Sequence, residues 1–336
     1  MNDRARTTLV TGATGFLGSN LARRLLSHGA QLRLLARSPL KAGPLARQGA
    51  EVVIGDITDR DAVRAAVADA EVIYHLAGQL LVPGVPPSDY RRTHVDGTSV
   101  LLDCSASSSA LRRFVHCSTT GVHGVTGGSP ADETAPFRPT NVYEATKAQA
   151  ELVVRDMWQH DFPAVIARPG LVYGPGDLHL LPFFRAVFQR QFRPIGFRQV
   201  WLHPIYIDDM TEGLMRCAES DVAVGECFNL AGQRAVTLAE FAAAIAAAGG
   251  IRLPRGYIPV SLAKGVATLG DRLPADRRRA APLTSDRLDF LTHSRMYDVS
   301  KARRLLGFAA TTDLRSGAAA TIAWYQQRGL LRAAAA

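Results

Sequence analysis

The stretch TGATGFLG, residues 11–18, sets glycine at positions 12, 15 and 18, after the apolar pair Leu9-Val10 and before the amphipathic run LGSNLARRLLSHG. Three bare backbones at that spacing, between a strand and a helix, constrain the fold more than any other feature of the chain. Gly12 falls where a strand has to turn sharply, Gly15 where backbone comes close to a ligand, and Gly18 where the helix packs on the strand before it. The N–H groups that open such a helix lack intrahelical acceptors, and its dipole favours negative charge there. A dinucleotide pyrophosphate suits that place, with Thr14, Phe16 and Leu17 completing the cradle.

The rhythm continues downstream. Residues 9–12, 32–37, 52–56, 72–78, 113–119 and 164–170 are apolar β-type runs separated by helix-length segments. Strands apolar almost throughout are buried on both faces, so the alternation predicts an α/β fold with a Rossmann-type, doubly wound parallel sheet. Beyond Pro175 the sequence turns Pro- and aromatic-rich; WLHPIYI (201–207) then reads as one more strand, and the region from Thr237 onward as helices with loops. The expected organisation is an NAD(P)-binding unit over 1–175, joined by about 201–234, and a smaller α/β substrate-binding region over 176–336.

At the end of the second strand of a dinucleotide fold, a carboxylate receives the adenosine ribose, whereas an Arg there accommodates a 2′-phosphate. This chain has Arg37, followed by Lys41, and no carboxylate from Gln31 to Gly49. That pattern favours NADP(H), with NAD(H) as the alternative. Asp56 and Ile57 close the third strand near the adenine, and Leu76, Ala77 and Gly78 close the fourth where the cofactor backbone passes.

Composition excludes several other classes. At 336 residues and 47% hydrophobic the chain has material for a large core, while its charged first residues and the absence of any span-length apolar stretch predict a cytoplasmic protein with no membrane span. Cys104, Cys117, Cys217 and Cys227 form no CxxC pair and have no His at ligand spacing, so they read as packing residues and no metal is expected. A net charge of +9 admits nucleic acid, a membrane surface or an anionic ligand. The one dense basic run, Arg277-Arg278-Arg279, lacks interleaved aromatics and reads as a solvated loop, so no nucleic-acid partner is expected.

A second constellation is NVYEATKAQAELVV, in which Tyr143 and Lys147 lie four apart and share a helix face. A tyrosine becomes a base near neutral pH only if its phenolate is stabilised by about 4 kcal/mol, which a neighbouring ammonium and a nicotinamide cation are suited to supply. Upstream, HCSTTG sets Ser118, Thr119 and Thr120 at the end of the preceding strand, where hydroxyls can meet a substrate oxygen. His75 and His116 lie within strand runs and read as core residues.

Taken together, TGATGFLG, DITD, HLAG, HCSTTGVHG, YEATK, ARPGLVYGPGD, HPIYIDDM and DVSKARRLLGF resemble the extended short-chain dehydrogenase/reductases, including the NAD-dependent epimerase/dehydratase and 3β-hydroxysteroid dehydrogenase-like members, over nearly the whole chain. The resemblance implies Tyr143 as acid/base, Lys147 on the nicotinamide ribose, Thr119 with Ser118 on the substrate oxygen, Pro169, Gly170 and Val172 along the nicotinamide, and a homodimer. Asp208 and Asp209 in IYIDDM read as residues that cap or anchor the following helix rather than as catalytic groups. Family members usually carry Asn where this chain has His94, in HVDGT.

Three function classes follow: a net oxidoreductase acting on a secondary alcohol or ketone of sterol-like or β-keto lipid type, a nucleotide-sugar epimerase, dehydratase or 4-keto reductase, and a non-catalytic dinucleotide-binding regulator. The first is favoured. Related epimerases commonly place an Arg for the substrate diphosphate where this chain has Leu202, and Leu180, Leu181, Phe183, Phe184, Phe188, Phe192 and Trp201 offer an apolar wall. Arg185, Arg193, Arg198 and Arg287 remain as phosphate partners for the second class.

Overall fold

The computed structural model describes residues 7–331 except 279, 280 and 282. The first half alternates β1 (Thr7–Thr11), α1 (Phe16–Ser27), β2 (Gln31–Ala36), α2 (Pro39–Ala46), β3 (Glu51–Ile54), α3 (Arg60–Val67) and β4 (Val72–His75). A short helix, α4 (Pro87–Arg91), passes through a π-turn over 92–96 into α5 (Gly97–Ala106). Then come β5 (Arg113–Cys117), α6 (Val142–Asp156), β6 (Ala164–Pro169), β7 (Leu171–Tyr173), α7 (Leu181–Phe188), β8 (Trp201–Leu202), β9 (Pro204–Tyr206), α8 (Ile207–Glu219) and β10 (Cys227–Leu230). The chain closes with β11 (Val236–Thr237), α9 (Leu238–Ala248), α10 (Val260–Asp271), α11 (Ala275–Arg278), α12 (Ser285–Thr292), α13 (Ser300–Leu306) and α14 (Leu314–Gln327).

Seven strands form one parallel sheet in the order β10-β6-β5-β4-β1-β2-β3, a Rossmann-type α/β fold. Strand alternation distributes side chains between two cores. Val10, Tyr74, Val115 and Val165 face one core with α1 and α8, while Leu9, Ile73, Phe114 and Ile166 face the other with α3 and α5. Each large side chain so buried contributes about 1.5–3 kcal/mol. A third core, holding Phe184, Phe241, Ile245 and Tyr325, joins α7, α9 and α14. Strand order reverses at β1, between β2 and β4, so the glycine loop lies at the switch point where the carboxyl ends open a crevice.

WLHPIYI is two strands, not one. β8 pairs antiparallel with β11 and β9 pairs parallel with β7, because Pro204 has no N–H to donate and the His203 carbonyl instead accepts from Leu171 N at 3.1 Å. Arg277 and Arg278 belong to the short helix α11 rather than a loop, and Arg279 lies outside the described residues. Asp208 and Asp209 sit inside the first turn of α8, whose N-cap is Tyr206 without a side-chain hydrogen bond. Asp209 anchors a distant segment, accepting from the backbone of Thr311 at 3.1 Å and of Thr312 at 3.0 Å.

Candidate active site

The carboxyl ends of β1, β4, β5 and β6 lie side by side along one edge of the parallel sheet, and α1 starts directly after the loop that follows β1. Gly12 takes a φ of +72°, and a Cβ there would lie 2.5 Å from the Leu76 carbonyl oxygen and 2.6 Å from Ala77 N. At Gly18 a Cβ would run into the Gly12 carbonyl. Gly15 is different: the one neighbour its Cβ would meet is the Gly12 oxygen at 3.3 Å, so its outer face is open. Helix α1 begins there with no side-chain cap and no acidic residue in its first turn, which leaves its leading N–H groups for an anion. This cradle fits the pyrophosphate of a dinucleotide. Thr14 is exposed beside it, with Phe16 and Leu17 half-buried.

Arg37 follows β2 with its side chain 73% exposed, 3.9 Å from Asp56. The Asp56 carboxylate also accepts from Thr58 N at 3.0 Å and Thr58 Oγ1 at 2.7 Å. Burial pushes that carboxyl up, but Thr58, Arg37 and Arg92 together hold it below the usual range. Ser38 caps α2 by accepting from Lys41 N at 3.4 Å, and the Lys41 side chain is exposed. Ile57 points away from this cleft into the core of α3 and α5. Leu76 and Ala77 are half-buried, Gly78 is exposed, and Ala77 N donates to Thr11 Oγ1 at 3.2 Å, tying the end of β4 to β1.

At the neighbouring strand end, Gly121 N donates to Thr119 Oγ1 at 3.1 Å, which directs the Thr119 hydroxyl proton outward, and Thr119 hydrogen-bonds Tyr143. Burial raises the Tyr143 pKa and the Thr119 bond opposes that rise. One turn further along α6, the Lys147 ammonium is buried and donates to the Cys117 carbonyl at 2.5 Å. Burial lowers its pKa, while Cys117 and Glu151 act in the opposite sense. Ser118 does not join this group. It is buried and its hydroxyl has no hydrogen-bond partner, although it lies on the side of Glu151, whose carboxylate is clamped by Arg168 at 2.5 Å and 3.0 Å.

His94 joins three elements. Its Nε2 accepts from Gln79 N at 2.9 Å, so its Nδ1 carries the proton and donates to Thr146 Oγ1 at 2.8 Å. The ring stands edge-on to Tyr143 with centroids 5.5 Å apart. Burial, with the Lys147 charge behind it, pushes its pKa down to about 3. His75 is held by Thr11 at 2.8 Å and Thr98 at 2.9 Å, whereas both ring nitrogens of the buried His116 lack a hydrogen bond.

Thr119 and Tyr143 face a cavity of about 910 Å³. Gly170 reaches its wall, while Pro169 is buried in β6 and Val172 is half-buried in β7. Of the aromatic and apolar residues expected to form a wall, Leu180, Phe183 and Phe192 line it, joined by Leu202. Leu181, Phe184 and Phe188 instead pack in the third core, and Trp201 lies outside the lining. Arg193 and Arg287 line the cavity, whereas Arg185 bonds the Leu330 carbonyl and Arg198 borders a separate depression.

Residues 8–231 match the model of the NAD dependent epimerase/dehydratase family. The chain belongs to that family. It is accordingly an enzyme of the extended short-chain dehydrogenase/reductase superfamily that uses a nicotinamide dinucleotide. It is 30% identical to the 4-hydroxy-2-methyl-3-oxo-4-farnesyl-3,4-dihydroquinoline-1-oxide ketoreductase of Stigmatella aurantiaca, over 92% of this chain and 94% of that one. It is 32% identical to the 3 beta-hydroxysteroid dehydrogenase/Delta 5-->4-isomerase of Mycobacterium tuberculosis, over 92% of this chain and 88% of that one. In fold it resembles the UDP-glucuronic acid 4-epimerase of Bacillus cereus, solved with UDP-glucuronic acid and NAD, at a TM-score of 0.76 and 22% identity, over 96% of this chain and 99% of that one.

Other parts of this epimerase/dehydratase-family cavity escape a reading by motif. The loop Leu80-Leu81-Val82-Pro83 lines it, and its only sequence signal is an apolar run one residue after HLAG that forms no strand. Glu144 and Arg295, 3.8 Å apart, line it as well. Their separation of more than a hundred residues leaves no local pattern to read.

Proposed function

We propose that this protein is an NADP(H)-dependent oxidoreductase that interconverts a secondary alcohol and a ketone on an apolar substrate of 3β-hydroxysteroid, sterol or β-keto lipid type. The observation that carries the reading is the cavity: Thr119 and Tyr143 stand on a wall otherwise dominated by Leu80, Leu81, Val82, Phe183, Phe192 and Val266. Such a wall binds by burying apolar area, at about 25 cal/mol per Å². Leu202 occupies the place where a diphosphate would call for an Arg, and Arg295 is engaged with Asp289 at 2.7 Å. The ketoreductase and hydroxysteroid dehydrogenase relatives, whose names specify farnesylated and steroid compounds, point the same way.

When bound, the nicotinamide supplies hydride exchange at the substrate carbon. In the reducing direction Tyr143 gives its hydroxyl proton to the substrate oxygen, and in the oxidising direction it takes that proton back. With substrate bound, Thr119 turns its single hydroxyl proton from Tyr143 to the same substrate oxygen and orients it, while its own oxygen still accepts from Gly121 N–H. Lys147 keeps two ammonium protons beyond its bond to Cys117, and we assign these to the nicotinamide ribose. The glycine loop and α1 hold the pyrophosphate, and Arg37 holds the 2′-phosphate. In this scheme residues 1–175 with about 201–234 bind the cofactor and the remainder shapes the substrate site, in a cytoplasmic homodimer.

The deciding experiment incubates purified protein and NADPH or NADP+ with sterols, 3-hydroxysteroids and 3-keto acyl compounds, beside UDP-, dTDP- and GDP-sugars. Stoichiometric cofactor turnover with the apolar panel is the expected result. Turnover confined to sugar nucleotides, with cofactor recycled, would establish the epimerase/dehydratase alternative. Cofactor binding without turnover of any compound would favour a regulator.

A further inference from the structure

Helix α10 is a ridge between two hollows. Its Leu262, Ala263 and Val266 line the substrate cavity, and its Val260 and Lys264 line a second depression of about 810 Å³. Ala263, Ala267 and Gly270 form its buried face, so the ridge is held from below and its crest faces solvent. That crest is apolar to an unusual degree: Leu262 is 60% and Leu269 64% exposed. Across the second depression, Phe197 is 82% exposed and lies against exposed Tyr257 with ring centroids 4.0 Å apart. Ile195 and Ile258 are paired as a β-bridge, which brings these two aromatic side chains to the foot of α10. Scattered exposed leucines need no explanation, but Phe197, Tyr257 and Val260, exposed large apolar side chains gathered around one depression, do.

The charge around this patch is predominantly positive, although Asp286 and Asp289 of α12 also line the hollows, Asp289 paired with Arg295 at 2.7 Å. Segments 189–200 and 251–273 carry seven Arg or Lys and a single carboxylate, Asp271, which is engaged with the hydroxyl and backbone of Ser285. Arg193, Arg198, Arg255, Lys264 and Arg272 are exposed. Apolar and aromatic side chains projecting through a ring of basic residues match the interface of an anionic bilayer, where rings and leucines enter the headgroup boundary and ammonium and guanidinium groups meet phosphate. Among the described residues no helix is long and apolar enough to cross a membrane, so such attachment is peripheral.

We infer that the α10 ridge and the Phe197–Tyr257 pair dock the protein on an anionic phospholipid surface and hold the mouth of the substrate cavity against it. The inference rests on the apolar-substrate reading for its purpose: Leu262 belongs both to the crest and to the cavity wall, so a lipid-soluble ketone passes from bilayer to cavity without crossing water. A second copy of the chain is the competing occupant, and the clustered positive charge opposes it, because two such faces would repel.

The test is sedimentation of the full-length protein with phosphatidylcholine vesicles and with vesicles containing about 30% phosphatidylglycerol, in the absence of substrate. The wild type is expected to bind the anionic vesicles, with affinity falling several-fold as salt is raised. Phe197→Ser with Leu269→Ser, and separately Arg198→Glu with Lys264→Glu, are each expected to reduce binding at least 10-fold. Turnover of a water-soluble ketone by both variants should match the wild type, which shows that they remain folded. Wild-type protein that stays in the supernatant, variants that bind undiminished, or a dimer that dissociates on Phe197→Ser with Leu269→Ser would overturn the proposal. Vesicle binding is scored without turnover, so its failure leaves the substrate reading standing, and failure of the substrate panel leaves the binding result intact.

Discussion

The His94 ring donates to the Thr146 hydroxyl at 2.8 Å, and so couples the loop after β4 to the helix that carries Tyr143 and Lys147. Where the family resemblance leads one to expect an amide, this chain has a neutral imidazole that positions two neighbouring elements. His94→Phe keeps the ring volume and leaves Gln79 N–H and the Thr146 hydroxyl without this partner, each costing about 1–3 kcal/mol if unsatisfied. A lower Tm and a reduced kcat are expected. Because His94 stays neutral down to about pH 3, the shape of the kcat profile between pH 5 and 9 should not change; a lost ionisation there would make it an acid or base instead.

Tyr143→Phe should leave NADPH affinity within a few-fold of wild type and reduce kcat by roughly 10²-fold or more, the scale of a lost general acid/base. Fluorescence titration and steady-state turnover check the two halves separately. Turnover near the wild-type rate would remove the Tyr143 hydroxyl from the mechanism.

Glycines 15 and 18 should separate binding from folding. Gly15→Ala faces open space apart from the Gly12 oxygen at 3.3 Å, so its Tm should hold while cofactor Kd rises about 10-fold as the methyl enters the pyrophosphate cradle. Gly18→Ala meets the Gly12 backbone directly and should lower Tm, with an overpacking cost of about 1–3 kcal/mol. Calorimetry beside cofactor titration distinguishes them, and equal effects on both quantities in both variants would refute the division.

Arg37→Asp replaces a phosphate partner by a ribose partner and adds repulsion to a 2′-phosphate beside Asp56. The ratio of NADPH to NADH affinity should fall by at least 10-fold, in keeping with about 1.5–3 kcal/mol for a charge-assisted contact. Kd values for both cofactors in both proteins settle the matter; an unaltered ratio would place Arg37 outside the pocket.

Acid should destabilise the fold through buried imidazoles. Burial holds His75 and His94 at about 3, so between there and the ordinary value near 6.5 the unfolded chain takes up protons that the native state refuses. Stability is therefore complete above about pH 6.5 and declines below it, by about 2 kcal/mol per histidine at pH 5. Thermal melts from pH 7.5 to 5 should show Tm falling by several degrees, and His75→Gln should flatten the slope. A Tm independent of pH over that range would contradict the assignment.

The parallel sheet was legible because its apolar runs, apart from the edge strand β3, are buried on both faces, and all six runs read as strands pair within it. Their carboxyl ends were overextended, to Gly78, Thr119 and Gly170, because those residues leave the ladder to shape the site while keeping strand-like composition. Alternation itself separates Ser118 from Thr119: neighbours on extended chain point to opposite faces, so Thr119 faces Tyr143 and the cavity while the Ser118 hydroxyl is buried without a hydrogen-bond partner. Cavity residues contributed by Leu80 to Pro83, Glu144 and Arg295 come together through tertiary packing, which no local period encodes.

The chain visits its cores by turns, with Leu180 to Leu202 in the third, Ile205 to Leu230 in the first, Val236 to Ala246 back in the third, Ala302 to Phe308 in the first and Ala318 to Leu331 in the third. A chimera that borrows a relative's substrate pocket therefore cannot be made with a single crossover. The third-core segments have to be transplanted together with the wall pieces from the 80–83 loop, α10 and α12, and they are interrupted by Ile205 to Leu230 and Ala302 to Phe308, which belong to the sheet's own core. Recombination within such a family is thereby penalised, and new specificity is more readily reached by point substitution along the cavity wall.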